Sequence, residues 1–205
     1  EISKISNNYH IPLIYDSAQA FGTKYKGKNV GSLGHAEFLS FHATKVYNTG
    51  EGGAIVTNDK DLYNKVCLSR NFGFNEYLNF SELGINGKMS EYSGLAGLIL
   101  LKNFNEDLNK RKKLYDYYFD AIKNIKGIVC LDIREDSNIT SNYSYFLVMI
   151  DPILYGLNNR ELYYALIHEN IITRCYFFPP VHRSTYYFKY YGSSNLNLPN
   201  TDKMA

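Results

Sequence analysis

The chain has only three cysteines among its 205 residues, Cys67, Cys130 and Cys175, odd in number and far apart. That spacing offers no paired-ligand pattern for zinc and no disulfide frame, and it reads as reduced cytosolic thiols. Long apolar runs are also missing. The longest in the helical stretch, Leu98 to Leu101, falls far short of the roughly 20 residues that a membrane span needs. Nor does one sign of charge dominate: 22 basic and 20 acidic side chains leave a net charge of +2, with Lys110 to Lys113 the one short basic cluster. Such a balance carries no electrostatic footprint for nucleic acid. With 45% hydrophobic residues, the chain instead suits a folded globular protein. It opens on Glu1 beside an amphipathic stretch containing Ile2 and Ile5, and stops at Ala205 just after the Leu198-Pro199 turn signal, as expected for a piece of a longer chain.

Between Ile11 and Thr57 short apolar runs alternate with turn chemistry. Ile11 to Tyr15, Ala36 to Phe41 and Ala54 to Thr57 read as buried strands, separated by Gly27, Gly31, Gly34 and the stretch Gly50 to Gly53. Asp59 stands where an N-cap belongs, and Leu62, Val66 and Ser69 follow at helical spacing. Asn71 to Lys88 is polar and aromatic, with Gly73, Gly84 and Gly87 but no period, which predicts a long functional loop. Ser90, Ser93 and Leu95 to Leu101 open a second helix, and Asn105 to Ile125 forms a third, with Leu108, Leu114, Tyr118 and Ile122 near one face. After Gly127 the order becomes strand, strand, helix, strand: Ile128 to Ile133, Tyr143 to Ile150, an Asn158-capped helix through His168, and Ile171 to Tyr176. The whole predicts an α/β protein with a candidate second, α+β domain after Gly127.

Asp16 ends one apolar strand, and Ser40, His42, Thr44 and Lys45 follow the next. Polar groups therefore gather at the carboxyl ends of neighbouring strands, where open α/β sheets bind ligands. A lysine among Ser, Thr and Gly can form a Schiff base with an aldehyde cofactor once its amine gives up a proton. Pyridoxal phosphate asks for an amine to hold the aldehyde, a carboxylate to keep the ring nitrogen protonated, and donors for the phosphate. Lys45, Asp16 and Ser40 with nearby backbone N–H groups can supply them. Each also has a plainer reading: Asp16 as a turn residue, Lys45 as a solvated charge, Ser40 as a local hydrogen-bonding group, His42 as a packed or orienting imidazole. A hydrolase built on Ser40, His42 and Asp16 is another possibility, although no Gly-x-Ser-x-Gly elbow accompanies it and Lys45 would have no part. Composition and spacing alone do not choose among these.

Several strings occur in a telling order: DSAQAFG (Asp16 to Gly22), GSLG (Gly31 to Gly34), SFHATK (Ser40 to Lys45) and GEGGAIVTND (Gly50 to Asp59). RNFGF (Arg70 to Phe74), GINGKMSE (Gly84 to Glu91) and the stretch from Phe177 to His182 before Leu198-Pro199 follow. Together they resemble the DegT/DnrJ/EryC1/StrS family of sugar aminotransferases. The resemblance implies pyridoxal phosphate as cofactor and the type I aminotransferase fold, an α/β architecture in which 1–104 would be the C-terminal part of a large domain with a mixed, mostly parallel sheet and 105–205 a truncated small α+β domain. Lys45 would hold it, Asp16 would pair with the pyridine nitrogen, Gln19 would lie against the ring oxygen, and Ser40 would bind the phosphate. It also implies a homodimer with shared active sites, in which the long loop crosses into the neighbour and brings Asn86 to that subunit's phosphate. Family members carry an upstream segment that also binds the cofactor. None is in this sequence, so the large domain is expected to be incomplete and this piece alone is not expected to be active; a non-catalytic dimerising or cofactor-sensing role is the corresponding alternative.

Relatives of the same fold that act as sugar dehydratases have His where Lys45 stands, so Lys45 points to transamination. The resemblance is nearest to enzymes that aminate C4 of a dTDP-linked 4-keto-6-deoxyhexose with glutamate as donor, with amination at C3 the neighbouring alternative. Arg174, His182 and Arg183 are candidates for contact with the substrate's phosphate or sugar, since Arg suits bidentate phosphate recognition, with a structural role as the alternative.

Overall fold

The computed structural model describes residues 1–77, 79–134, 137–176, 178–192 and 196–204. Phe177, which opens the C-terminal string noted above, lies outside the described residues. In chain order the elements are α1 (Ile2–Asn8), β1 (Ile14–Asp16), β2 (Lys24–Tyr25), β3 (Lys28–Asn29), β4 (Ala36–Ser40), β5 (Gly53–Val56), α2 (Lys60–Ser69) and α3 (Glu91–Ile122). They continue with β6 (Ile128–Cys130), β7 (Ile139–Thr140), β8 (Val148–Ile150), α4 (Pro152–Tyr155), α5 (Asn159–His168), α6 (Thr185–Tyr191) and α7 (Pro199–Met204). Two compact units result, one of Glu1–Tyr117 with Asp132–Tyr145, the other of Tyr118–Leu131 with Phe146–Ala205.

The first unit is organised by a mixed sheet of order β1-β4-β5, with β1 parallel and β5 antiparallel to β4. Asp16 stands opposite Phe38, and Phe38 opposite Ile55. Strand alternation then puts Ile14, Asp16, Phe38, Ser40 and Ile55 on one face, and Tyr15, Glu37, Leu39, Ala54 and Val56 on the other. The second face is the inner one. Leu39, Phe41 and Tyr47 form its buried centre, with Phe21, Val30, Ala54, Val56 and Phe104 packed against them. The first face is more open than expected for buried strands, since Phe38 and Ile55 are 42% and 43% exposed.

The inner face also holds a carboxylate. Glu37 is fully buried, and it accepts hydrogen bonds from the Ser17 hydroxyl at 2.7 Å and from the Leu33 N–H. One side chain on β4 thereby ties the residue after Asp16 to the Gly31–Gly34 turn.

Local signals account for most of the remaining elements. Asp59 caps α2 by accepting from the N–H groups of Asp61 and Leu62. Asn158 and Glu161 form a complete capping box at α5. The stretch 71–88 is free of helix and named strand among its described residues, and isolated bridges Asn71–Asn86 and Phe74–Phe80 fold it back on itself. A side chain at Gly73 would run into the Glu82 carbonyl, which is why a glycine serves there.

Two expectations are corrected, and one element is added. The helices expected at Leu95–Leu101 and Asn105–Ile125 are one continuous helix, α3, because Lys102, Asn103 and Phe104 contain no breaker and Phe104 is held in the core. The strand expected at Ile171–Tyr176 is absent: the Ile171 N–H bonds back to Leu166 O at the end of α5, Ile172 is 95% exposed, and no partner strand pairs with the segment among the described residues. The hairpin β2–β3 and its pairing with β7 were not anticipated. Its two turn residues, Lys26 and Gly27, both have positive φ, and a lysine in place of the usual Asn or Asp hides the signal.

Replacing Glu37 by Leu is expected to cost about 1–3 kcal/mol, because the Ser17 hydroxyl and the Leu33 N–H lose a buried acceptor. Glu37→Gln should cost clearly less, since an amide can accept from Leu33 and donate to Ser17; urea unfolding of the two variants checks the order.

Candidate active site

Because β1 and β4 are adjacent and parallel, their carboxyl ends lie on the same edge of the sheet. Asp16 is the last residue of one strand and Ser40 the last of the other. After Asp16 the chain turns twice. Its carboxylate accepts from the Ala18 N–H at 3.1 Å, Ala20 N–H bonds to Ser17 O, and Thr23 N–H bonds to Ala20 O. These turns leave Gln19 exposed while Phe21 joins the core.

After Ser40 the loop is pinched shut at its base by Phe41 N–H to Gly52 O and Thr49 N–H to Phe41 O, both 2.8 Å. Within it the Lys45 N–H bonds to His42 O at 2.9 Å, and the Asn48 side chain donates to Lys45 O. Lys45 is half-buried, two residues before the buried Tyr47. The Ser40 hydroxyl oxygen accepts from the backbone N–H of His42, whose ring instead meets the Thr44 hydroxyl at 3.0 Å and Glu51 at 3.5 Å. The His42 ring is thus engaged by Thr44 and Glu51, and the bonds among the described residues lend no support to the hydrolase alternative.

A residue missed in the sequence supports this edge from far along the chain. Asn142 is 3% exposed, and its side-chain amide donates to Gln19 O at 2.8 Å and to Phe21 O at 3.0 Å. Its own oxygen accepts from the Ser144 N–H. Tyr145 donates its hydroxyl to Gln19 Oε1 at 3.3 Å. Neither residue sits in a motif, and only the fold brings them to Gln19. Asn86 stands apart from this group in the 71–88 loop, exposed, with its Oδ1 accepting from Lys88 Nζ at 2.9 Å.

In the second unit, His182 and Arg183 converge on one carboxylate. Asp202 accepts from His182 Nε2 at 2.9 Å and from Arg183 at 3.0 and 2.6 Å. The Arg183 guanidinium, with help from His182, holds the Asp202 carboxyl down to about 2 against the opposing effect of desolvation. These two basic residues are therefore occupied in fastening α7. Arg174 is placed differently, with its guanidinium 4.7 Å from the centre of the Tyr176 ring.

An amine, a carboxylate and a hydroxyl on one sheet edge are the three kinds of group that pyridoxal phosphate requires, and Gln19 adds an amide beside them. The whole sequence, residues 1–205, matches the profile of the DegT/DnrJ/EryC1/StrS aminotransferase family. The chain belongs to that family. Its relatives include a dTDP-4-amino-4,6-dideoxy-D-glucose transaminase from Shigella dysenteriae, 38% identical over 88% of this chain and 48% of its own length. The Escherichia coli transaminase of the same name is 34% identical over 100% of this chain and 55% of its own. Among solved structures, DesI with its TDP-sugar product superimposes with a TM-score of 0.87 at 33% identity, covering 99% of this chain and 50% of DesI. The chain thus spans about half the length of the relatives it matches. Family and relatives are aminotransferases, the fold is the α/β fold of its DegT-family structural neighbours, and no helix among the described residues is long and apolar enough to cross a membrane.

The depressed Asp202 contributes stability above the ordinary carboxylate pKa of about 3.9, and loses it as pH falls through the folded value of about 2. Hydrogen exchange in α7 should therefore stay protected from neutral pH down to about 4, and rise below it. Asp202→Asn should expose the same amides already at neutral pH.

Proposed function

We propose that the whole protein is a pyridoxal-phosphate transaminase that moves an amino group from glutamate to a nucleotide-linked keto-deoxysugar, specifically C4 of a dTDP-4-keto-6-deoxyhexose. One observation carries the reading: Lys45, in a pinched loop after β4, stands on the same sheet edge as Asp16, at the end of the parallel neighbour β1. The relatives named for dTDP-4-amino-4,6-dideoxy-D-glucose support the sugar and its position.

When bound, the cofactor supplies an electron sink conjugated to the nitrogen being transferred. Lys45 would have two tasks: its amine would hold the cofactor's aldehyde, and as a free amine it would move the proton at the donor's Cα. Asp16 keeps a proton on the pyridine nitrogen, and being the final residue of a strand it has little freedom to drift. Ser40 would donate its hydroxyl to the phosphate, a role open to it because among the described residues its oxygen accepts from the His42 backbone N–H and its proton remains to be given. Gln19 meets the ring oxygen. Arg174 lies free of carboxylate partners among the described residues and meets the sugar nucleotide's phosphates. The protein works as a homodimer, and the 71–88 loop carries Asn86 to the phosphate in the neighbouring subunit's site.

The whole protein mixed with pyridoxal phosphate should acquire a visible absorbance band that glutamate bleaches, and Lys45→Ala should abolish both the band and turnover. Turnover retained in that variant sinks the assignment of Lys45.

A further inference from the structure

Gln19 is held twice by residues more than a hundred positions downstream. Its backbone carbonyl, with that of Phe21, is fixed by the buried Asn142 amide, so the turn that carries it has one position. Its side-chain oxygen accepts from the Tyr145 hydroxyl. A primary amide has an acceptor end and a donor end. A hydroxyl bonded to the oxygen turns the amide so that the NH2 points away from the hydroxyl and is the end presented to another partner.

We propose that Tyr145 is a positioning residue that sets the rotation of the Gln19 amide, so that its NH2, and not its carbonyl, faces the cofactor's ring oxygen. The inference rests on the reading that pyridoxal phosphate is held at Lys45. The orientation has an electrostatic consequence. The ring oxygen carries negative charge, which is partly neutralised when the Lys45-linked nitrogen beside it is protonated. An external N–H donor stabilises that oxygen most when the nitrogen has lost its proton, and so lowers the pH at which the proton leaves. An amide free to turn its carbonyl toward the oxygen does the reverse. Tyr145 reaches the cofactor through Gln19, whose backbone is held by Asn142, so that rotation of the Gln19 side chain is what the hydroxyl sets.

The test is a pH titration of the visible band in the whole protein loaded with pyridoxal phosphate, with thermal melting measured alongside. Tyr145→Phe keeps the ring and deletes only the hydroxyl; it should raise the midpoint by about half a pH unit and leave the melting temperature nearly unchanged. In a Gln19→Ala background the same substitution should produce no further shift, because the group through which it acts is gone. An unmoved midpoint with a lowered melting temperature marks a purely structural tyrosine and overturns the inference, as does an equal shift in both backgrounds. If the unaltered protein gives no visible band at all, the cofactor reading itself fails, a result separate from either of these, and the inference falls with it.

Discussion

The first unit depends on a cluster of four aromatic rings. Phe21 stacks on Tyr47 with centroids 4.5 Å apart, Phe41 meets both edge-on, and Phe104 closes the group from α3. Each pair is worth about 0.5–1.5 kcal/mol beyond simple burial, but their position matters more than their sum. Phe21 comes two residues after Gln19, Phe41 directly after Ser40, and Tyr47 two after Lys45. Each segment that presents a candidate functional group outward is thus anchored inward by a ring, and the three anchors touch one another. The loops cannot shift separately without breaking the cluster.

Polar bonds complete what the rings begin. Glu37 fixes the turn after Asp16 from within the sheet, and Asn142 fixes it from the segment after β7. Both are buried and both have their hydrogen-bonding groups engaged, the condition under which buried polar groups confer a single arrangement rather than a penalty. The edge that carries Asp16 and Lys45 is therefore held rigidly even though Asp16 and Gln19 themselves are exposed.

What could be read from the sequence follows the range of each interaction. The Asp59 and Asn158 caps depend on neighbours within a few residues, and β4, β5 and the strand ends at Asp16 and Ser40 announce themselves as short apolar runs closed by polar residues, so these were legible. Asn142 and Tyr145 were not, because nothing near them signals a partner 121 to 126 positions away. The basic pair His182 and Arg183 is conspicuous in the sequence, whereas its engagement by Asp202, twenty and nineteen residues on, is not. Ile171 to Tyr176 has the composition of a strand, but a strand exists only by pairing, and pairing is a property of the fold.

Gly97 of α3 carries one more implication. A Cβ at this position would lie 2.7 Å from the Tyr47 hydroxyl and 2.8 Å from the Thr49 methyl, so the helix backbone rests directly on the loop that contains Lys45. The two residues share one small volume, and neither can grow unless the other shrinks. A side chain added at this helix glycine would therefore be felt first at Tyr47 and Thr49, the inner supports of the loop that carries Lys45.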